Sequence, residues 1–159
     1  MLTIRAATIA DVALIRQLIW ELADFEKEPH AVRTTEADIA RDGFGADPQF
    51  RALIAEWDRQ PAGLALFFRY YSTWRGAGLY LEDLFIRPDF RGHGIGTALF
   101  ARVARVAQQE NRKFIKWAVL DWNQRAIDMY TALGGEFLDG WREVLLTEDS
   151  LRKLAEKDS

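Results

Sequence analysis

The chain has 159 residues, enough for one domain with a sizeable core, and its 49% hydrophobic and 28% charged content is an ordinary globular balance. A net charge of −3 argues against nucleic acid or an anionic membrane as the main partner, because both ask for a basic face. The absence of cysteine excludes disulfides, thiolate metal sites and a cysteine nucleophile, and two histidines without metal-ligand spacing give no reason to expect a metal.

In chain order, "MLTIRAATIADV" carries a charge by position 5 and lacks the apolar stretch of a secretory leader. No apolar run approaches the roughly 18 residues of a membrane span, so a cytoplasmic protein is expected. "LTIRAA" reads as a first strand. Thr8 caps a helix whose apolar positions Val12, Ile15, Leu18, Ile19, Leu22 and Phe25 keep the 3.6 period, with Pro29 as its stop. Thr35 opens a short second helix through Arg41, closed by Gly43. "FRALIAEW" and "AGLALFFRYY" are strands joined by "DRQP" in a hairpin-like connection. "STWRGAG" is a loop and "LYLEDLFI" a fourth strand. A glycine turn then starts a long helix with Ile95, Leu99, Val103 and Val106 on one face. "FIKWAVL" is a buried-type strand. "DWNQRAIDMYTALGG" is a helix capped near Asn123 and closed by Gly134 or Gly135. "GWREVLL" is a further strand and "TEDSLRKLAEK" a final amphipathic helix. Antiparallel strands followed by strand-helix-strand give an α/β (α+β mixed) fold, a mixed sheet with helices on its faces. Among six tryptophans, Trp74 and Trp141 lie beside turn residues and are candidates for a pocket mouth.

The glycine turn "RGHGIG" allows several anion-binding readings. A Walker loop needs Gly-Lys-Ser/Thr, and no lysine stands there. A dinucleotide fingerprint counted from Gly94 meets Gly96 and then Leu99, so the third small residue is missing. The pattern Arg/Gln-x-x-Gly-x-Gly/Ala is met by Arg91, Gly94 and Gly96. Unpaired N–H groups and the positive dipole end of a helix N-terminus can hold a pyrophosphate, and glycine lets backbone approach it. A glycine-rich strand-to-helix turn without a ligand competes with this reading on the hexapeptide alone.

With that turn, the segments "LADFEK", "DGFG", "YLEDLF", "NQRAIDMYTALGG", "WN" and "GWR" make the chain resemble the GNAT superfamily of acetyl-CoA-dependent N-acetyltransferases. Within it the chain resembles the diamine (spermidine/spermine) acetyltransferase family, and "FEK" leans toward the thialysine acetyltransferase branch. The resemblance implies one N-acetyltransferase domain over residues 1–159, with an acyl-CoA N-acyltransferase fold around a mixed, mostly antiparallel sheet. It also implies acetyl-CoA as co-substrate and a homodimer. Leu84, Phe85 and Ile86 would pair through their backbone with the pantetheine arm. Arg91, Gly92, His93, Gly94, Ile95, Gly96 and Thr97 would wrap the pyrophosphate, and Asn123, Arg125 and Ala126 would contact the cofactor at the next helix. Tyr130 would sit near the thioester sulfur. Glu82 would act on the amine, while Phe25, Glu26, Asp83, Asp139 and Trp141 would shape the acceptor site.

The chemistry has a use for these residue types. An alkyl amine with a pKa near ~10.4 must lose a proton to become nucleophilic, which suits Glu82 as base. The leaving thiolate benefits from a proton, which a Tyr130 phenol could give. Glu82 and Asp83 point to opposite sides of a regular strand, so both serve one site only if a bulge intervenes. An ion-paired strand glutamate and a core tyrosine are the plain structural readings of the same residues. With no cysteine, and no serine in a nucleophile-elbow context, direct attack in a ternary complex is expected over an acetyl-enzyme. Lys27, Pro29 and His30 break up the acidic set Glu26, Glu28, Glu82, Asp83 and Asp139, which counts against long polyamines and leaves shorter diamines or thialysine-like amino acids open. The competing functions are acetylation of a protein N-terminus or lysine, and non-catalytic acetyl-CoA binding by a regulator.

Overall fold

The computed structural model describes residues 1–158; Ser159, the last residue of the expected domain, lies outside the described residues. The chain forms two compact units, one from Met1 to Ala118 and one that begins at Val119.

The first unit holds strand β1 (Leu2–Ala6), helices α1 (Val12–Phe25) and α2 (Glu36–Phe44), strands β2 (Arg51–Trp57), β3 (Gln60–Ser72) and β4 (Gly76–Ile86), helix α3 (Ile95–Gln109) and strand β5 (Ile115–Lys116). One sheet runs β1-β2-β3-β4-β5, antiparallel up to β4 and parallel between β4 and β5. This is the mixed, mostly antiparallel sheet expected from the sequence.

Local causes are visible at each boundary. Asp11 accepts the Thr8 N–H at 2.7 Å and takes both Arg5 guanidinium nitrogens at 2.8 Å, so a buried carboxylate fixes the entry to α1. That guanidinium holds the Asp11 carboxyl at about 2. α1 stops when Lys27 turns left-handed at φ 67°, two residues before the proline, which leaves Glu26 at the helix boundary. α2 begins with a reciprocal cap between Thr35 and Asp38. It runs through Phe44, past the expected stop at Gly43. A Cβ at Gly43 would come within 2.4 Å of the Phe50 ring, so this glycine serves close packing inside the helix and not its termination. Asp58 and Arg59, both with positive φ, make the two-residue turn between β2 and β3.

The sheet is covered on both faces. Ile15, Leu18 and Ile39 from α1 and α2 form one cluster with Ala52, Ile54, Leu64, Leu66 and Phe85. The intervening strand residues Leu53, Ala55, Ala65, Phe67 and Leu81 face the other way and are buried, as are Ile95, Leu99 and Val103 on α3, which packs on β2, β3 and β4. At roughly 25 cal/mol per Å² of apolar surface, these two layers dominate what holds the unit together.

β4 carries one residue more than its partner. Leu66 stands opposite Asp83 and Phe67 opposite Leu81, so Glu82 has no counterpart and forms a bulge. β5 pairs with β4 only at Leu79 and Tyr80. The expected strand over residues 114–120 is thus reduced to two residues, because the bulge begins two positions further along β4 and the strands part before it.

The second unit contains α4 (Gln124–Ala132) and α5 (Glu148–Ala155). The Asn123 side chain accepts the Ala126 N–H at 3.3 Å and so caps α4, and Gly134 follows the helix at φ 88°. Arg152 bonds Asp149 and Glu156 along the surface of α5. The expected strand "GWREVLL" does not form: residues 140–146 carry no strand, and Val144 is 94% exposed. Alternating apolar residues without a neighbouring edge have no ladder to join.

Candidate active site

The bulge decides where two acidic side chains go. Asp83 stands opposite Leu66, whose side chain belongs to the α1 and α2 face, so Asp83 faces that side as well. If β4 alternated strictly from Leu81, with Glu82 opposite Leu66, Asp83 would face α3. Asp83 is raised to about 7 by burial first, then by Glu82 and Glu26. Glu26, at the end of α1, is raised by burial and by Glu82. Three carboxylates from two elements therefore share one electrostatic environment, with Glu82 exposed on the bulge and Glu26 and Asp83 partly covered. They prefer to hold at least one proton or to meet a cation.

The same bulge frees backbone. Leu84, Phe85 and Ile86 pair with Ala65, Leu64 and Gly63 of β3, while β5 has already left the other edge of β4. Just beyond lies the glycine turn. Gly92 and Gly94 have φ 82° and 74°, and nothing lies within 4 Å of where a side chain would begin at either position. Gly94 is the residue before α3, and no side chain caps that helix. The 15-residue helix thus starts from an open backbone turn at its positive dipole end.

Arg91 ties the turn to α1. Its Nε donates to the Ile86 carbonyl at 3.1 Å, and its guanidinium lies 4.8 Å from the centre of the Phe25 ring. Phe25, Glu26, Glu82, Asp83 and Arg91 are thus brought to one region of the first unit. His93 and Thr97 are exposed, Ile95 is buried and Gly96 partly covered. In the second unit, Tyr130 is a buried residue of α4, Asn123 caps that helix, and Ala126 gives it the capped N–H. Arg125, Asp139 and Trp141 are exposed, Trp141 at 74%. Trp74, in the β3–β4 turn of the first unit, is 86% exposed.

Two features escaped the sequence reading. The bulge was named only as a condition, and nothing in "YLEDLFI" signals it, since it follows from pairing with β3. Arg87 binds both oxygens of Glu21 and the Pro61 carbonyl, bracing the approach to the glycine turn. A pair 66 residues apart leaves no local spacing to read. Among the described residues no cluster of three or more His, Asp or Glu is placed to hold a metal ion, and no helix is long and apolar enough to cross a membrane.

A strand that bulges at its acidic pair, parts from its neighbour and leads through a glycine turn into an uncapped helix offers a free backbone edge beside an anion-binding turn. The match to the acetyltransferase (GNAT) family covers residues 13–134. The chain belongs to that family and is an acetyltransferase. It is 39% identical over 165 residues to a thialysine N-epsilon-acetyltransferase of Bos taurus, covering 97% of each chain. It is 35% identical over 162 residues to the human spermidine/spermine N(1)-acetyltransferase-like protein 1, covering 96% of this chain and 23% of that one. Among solved structures, the aminoglycoside N-acetyltransferase AAC(6')-Iy in complex with CoA shares the fold at a TM-score of 0.72 and 19% identity, over 93% of this chain and 95% of that one.

Proposed function

We propose that the protein transfers the acetyl group of acetyl-CoA to a primary amine of a small cationic substrate, a diamine, a polyamine or a thialysine-like amino acid, by direct attack in a ternary complex. The observation that carries this reading is the shared environment of Glu26, Glu82 and Asp83, in which Glu26 and Asp83 hold their protons above the ordinary carboxylate range and a positive charge is welcome. Glu82, exposed at the bulge, takes the proton of the ammonium group. The amine nitrogen then forms its bond to the acetyl carbon while the carbon–sulfur bond breaks; Tyr130 gives the thiolate its proton and is restored by the second proton that the nitrogen sheds, and the proton on Glu82 passes to solvent. Overall one proton is released. The relatives named for thialysine and for spermidine/spermine support a small amine.

The residues present fit the acyl donor. Gly92 and Gly94 leave an open turn in front of α3, where the N–H groups of Ile95, Gly96 and Thr97 and the helix dipole suit a pyrophosphate. The free edge of β4 at Leu84, Phe85 and Ile86 suits the amide groups of pantetheine as an added strand. On the resemblance set out above, Asn123, Arg125 and Ala126 hold the donor at α4, and Asp139 and Trp141 border the acceptor. The family match spans parts of both compact units, which supports their working as one domain over residues 1–159. The same resemblance carries the reading of a homodimer, while the net charge of −3 and the lack of a long apolar run support a cytoplasmic protein without a nucleic-acid or membrane partner.

The test is release of free CoA thiol with spermidine, putrescine, thialysine, lysine and a peptide. We expect stimulation by a small amine and little by the peptide. Stimulation by the peptide alone would replace this reading with protein acetylation, and tight acetyl-CoA binding without amine-stimulated release would replace it with a regulator.

A further inference from the structure

Trp57 lies outside every element assigned above to donor or acceptor, yet it touches the glycine turn. It is the last residue of β2, fixed between Leu2 of β1 and Gln60 of β3 and followed at once by the tight turn at Asp58 and Arg59. Its ring meets the His93 imidazole at 4.7 Å between centres, tilted by 54°. His93 in turn holds its own loop. Nδ1 lies 3.1 Å from the Phe90 carbonyl and 3.1 Å from the Arg91 carbonyl. Both partners only accept, so Nδ1 carries the hydrogen and donates to them. The Arg91–Gly92 peptide is trans, and in a trans peptide the N–H points away from the carbonyl. By holding the Arg91 carbonyl, His93 fixes the direction of the Gly92 N–H.

This matters because the turn is otherwise soft. Glycine at 92 and 94 gives the backbone wide freedom, and ordering it on binding costs affinity. A ring wedged between two loop carbonyls and a tryptophan anchored in the sheet removes much of that freedom beforehand. The contact joins residues 36 positions apart and ties the end of the β2–β3 hairpin to the turn before α3.

We propose that Trp57 is a positioning residue that acts through His93 to preorganise the Arg91–Gly94 turn for the pyrophosphate of the acyl donor. The inference rests on the reading of that turn given under Proposed function. It assigns Trp57 no contact with substrate. Its effect is confined to the part of the donor that carries phosphate.

The experiment compares acetyl-CoA with S-acetylpantetheine, which keeps the thioester and the pantetheine arm but has no pyrophosphate. For Trp57→Ala we expect KM for acetyl-CoA to rise by about five- to tenfold, the loss expected for one aromatic contact, with kcat little changed. The kcat/KM for S-acetylpantetheine stays as in the unchanged protein. Trp57→Phe, which keeps a ring at the contact, restores most of the acetyl-CoA KM. His93→Ala, an exposed substitution that leaves the core intact, reproduces the loss, and the double variant is no worse than either alone because both act along one route. Equal losses on both donors, an unchanged acetyl-CoA KM, or fully additive losses in the double variant would each overturn the proposal. If Trp57→Ala does not fold, His93→Ala and Trp57→Phe decide the question with the same two donors. Failure of the unchanged protein to use or bind acetyl-CoA would instead overturn the underlying reading of the turn.

Discussion

Arg87 and Glu21 meet as a two-pronged ion pair across the first unit: Nε and Nη2 of the arginine donate to the two carboxylate oxygens at 2.9 and 2.8 Å. Both side chains are about a quarter exposed. The pair binds α1 to the residue that follows β4, and a third donor from Arg87 satisfies the Pro61 carbonyl. Arg87→Ala should cost about 1–3 kcal/mol, since it leaves a partly covered carboxylate and a carbonyl without partners. A thermal melt should show this as a fall of several degrees. The Arg87 hydrogen bonds lower the Glu21 pKa. This contribution to stability is therefore present above the ordinary glutamate range and is lost as pH falls toward the depressed value. The stability gap between Arg87→Ala and the unchanged protein should narrow in acid.

Asp83 gives the opposite sign. Its carboxyl is raised to about 7, so the folded state holds a proton that the unfolded chain has already lost. Stability from this group is complete below pH 3.8 and declines as pH rises toward and through 7. Asp83→Asn should remove the decline, so that its gain in melting temperature over the unchanged protein is larger at pH 8 than at pH 5. Activity should move the other way: ionised Asp83 attracts a cationic acceptor, so KM for the amine falls as pH rises through about 7. In Asp83→Asn that improvement should be absent from the pH profile.

Glu82→Gln tests the base. The substitution keeps the bulge and nearly the same volume while removing the proton acceptor. We expect kcat to fall by roughly 10²–10⁴ with little change in KM for acetyl-CoA, measured by thiol release. An unimpaired kcat would move the base to another group.

Tyr130→Phe should keep acetyl-CoA binding by calorimetry and slow turnover by about tenfold or more, the low end of acid–base effects. Tyr130 is buried on α4, so a melting curve must accompany the rate. Slow turnover at unchanged stability supports the proton-donor role, whereas full kcat would end it.

Gly94→Ala should weaken acetyl-CoA binding without crowding anything. Space is open there, but φ is 74°, a conformation that costs an L-residue about 1–2 kcal/mol. The strain falls at the first residue of the α3 boundary, so the donor KM should rise before global stability is lost.

The sequence carried the order of elements well because the helices kept a clean apolar period and the strands were bounded by turns. Ile15 and Leu18 of α1, and Leu99 and Val103 of α3, were named from spacing and are fully buried. Local features were legible: the "RGHGIG" turn before α3 and the Asn123 cap of α4 are both read from neighbours in the chain. The rest was illegible where partners are distant. Gly43 looked like a helix stop because Phe50, which packs over it, is not adjacent in the helix pattern. "GWREVLL" looked like a strand because alternation cannot reveal whether an edge stands beside it. Neither the Arg87–Glu21 pair nor the Trp57–His93 contact has a spacing rule, and both join segments that only the sheet brings together.

The bulge at Glu82 sets eleven residues of β4 against ten of β3. The acidic pair is thus a product of strand length as much as of composition. Point substitutions at 82 and 83 vary charge on a fixed frame. Deleting one of the two residues instead restores strict alternation, leaves a single acid opposite Leu66 on the α1 and α2 face, and removes the bulge with its second carboxylate. A family reshaping this pocket by exchange of side chains alone would tune which cation enters, whereas a single-codon insertion or deletion would create or abolish the bulge, and with it the second acid, in one step.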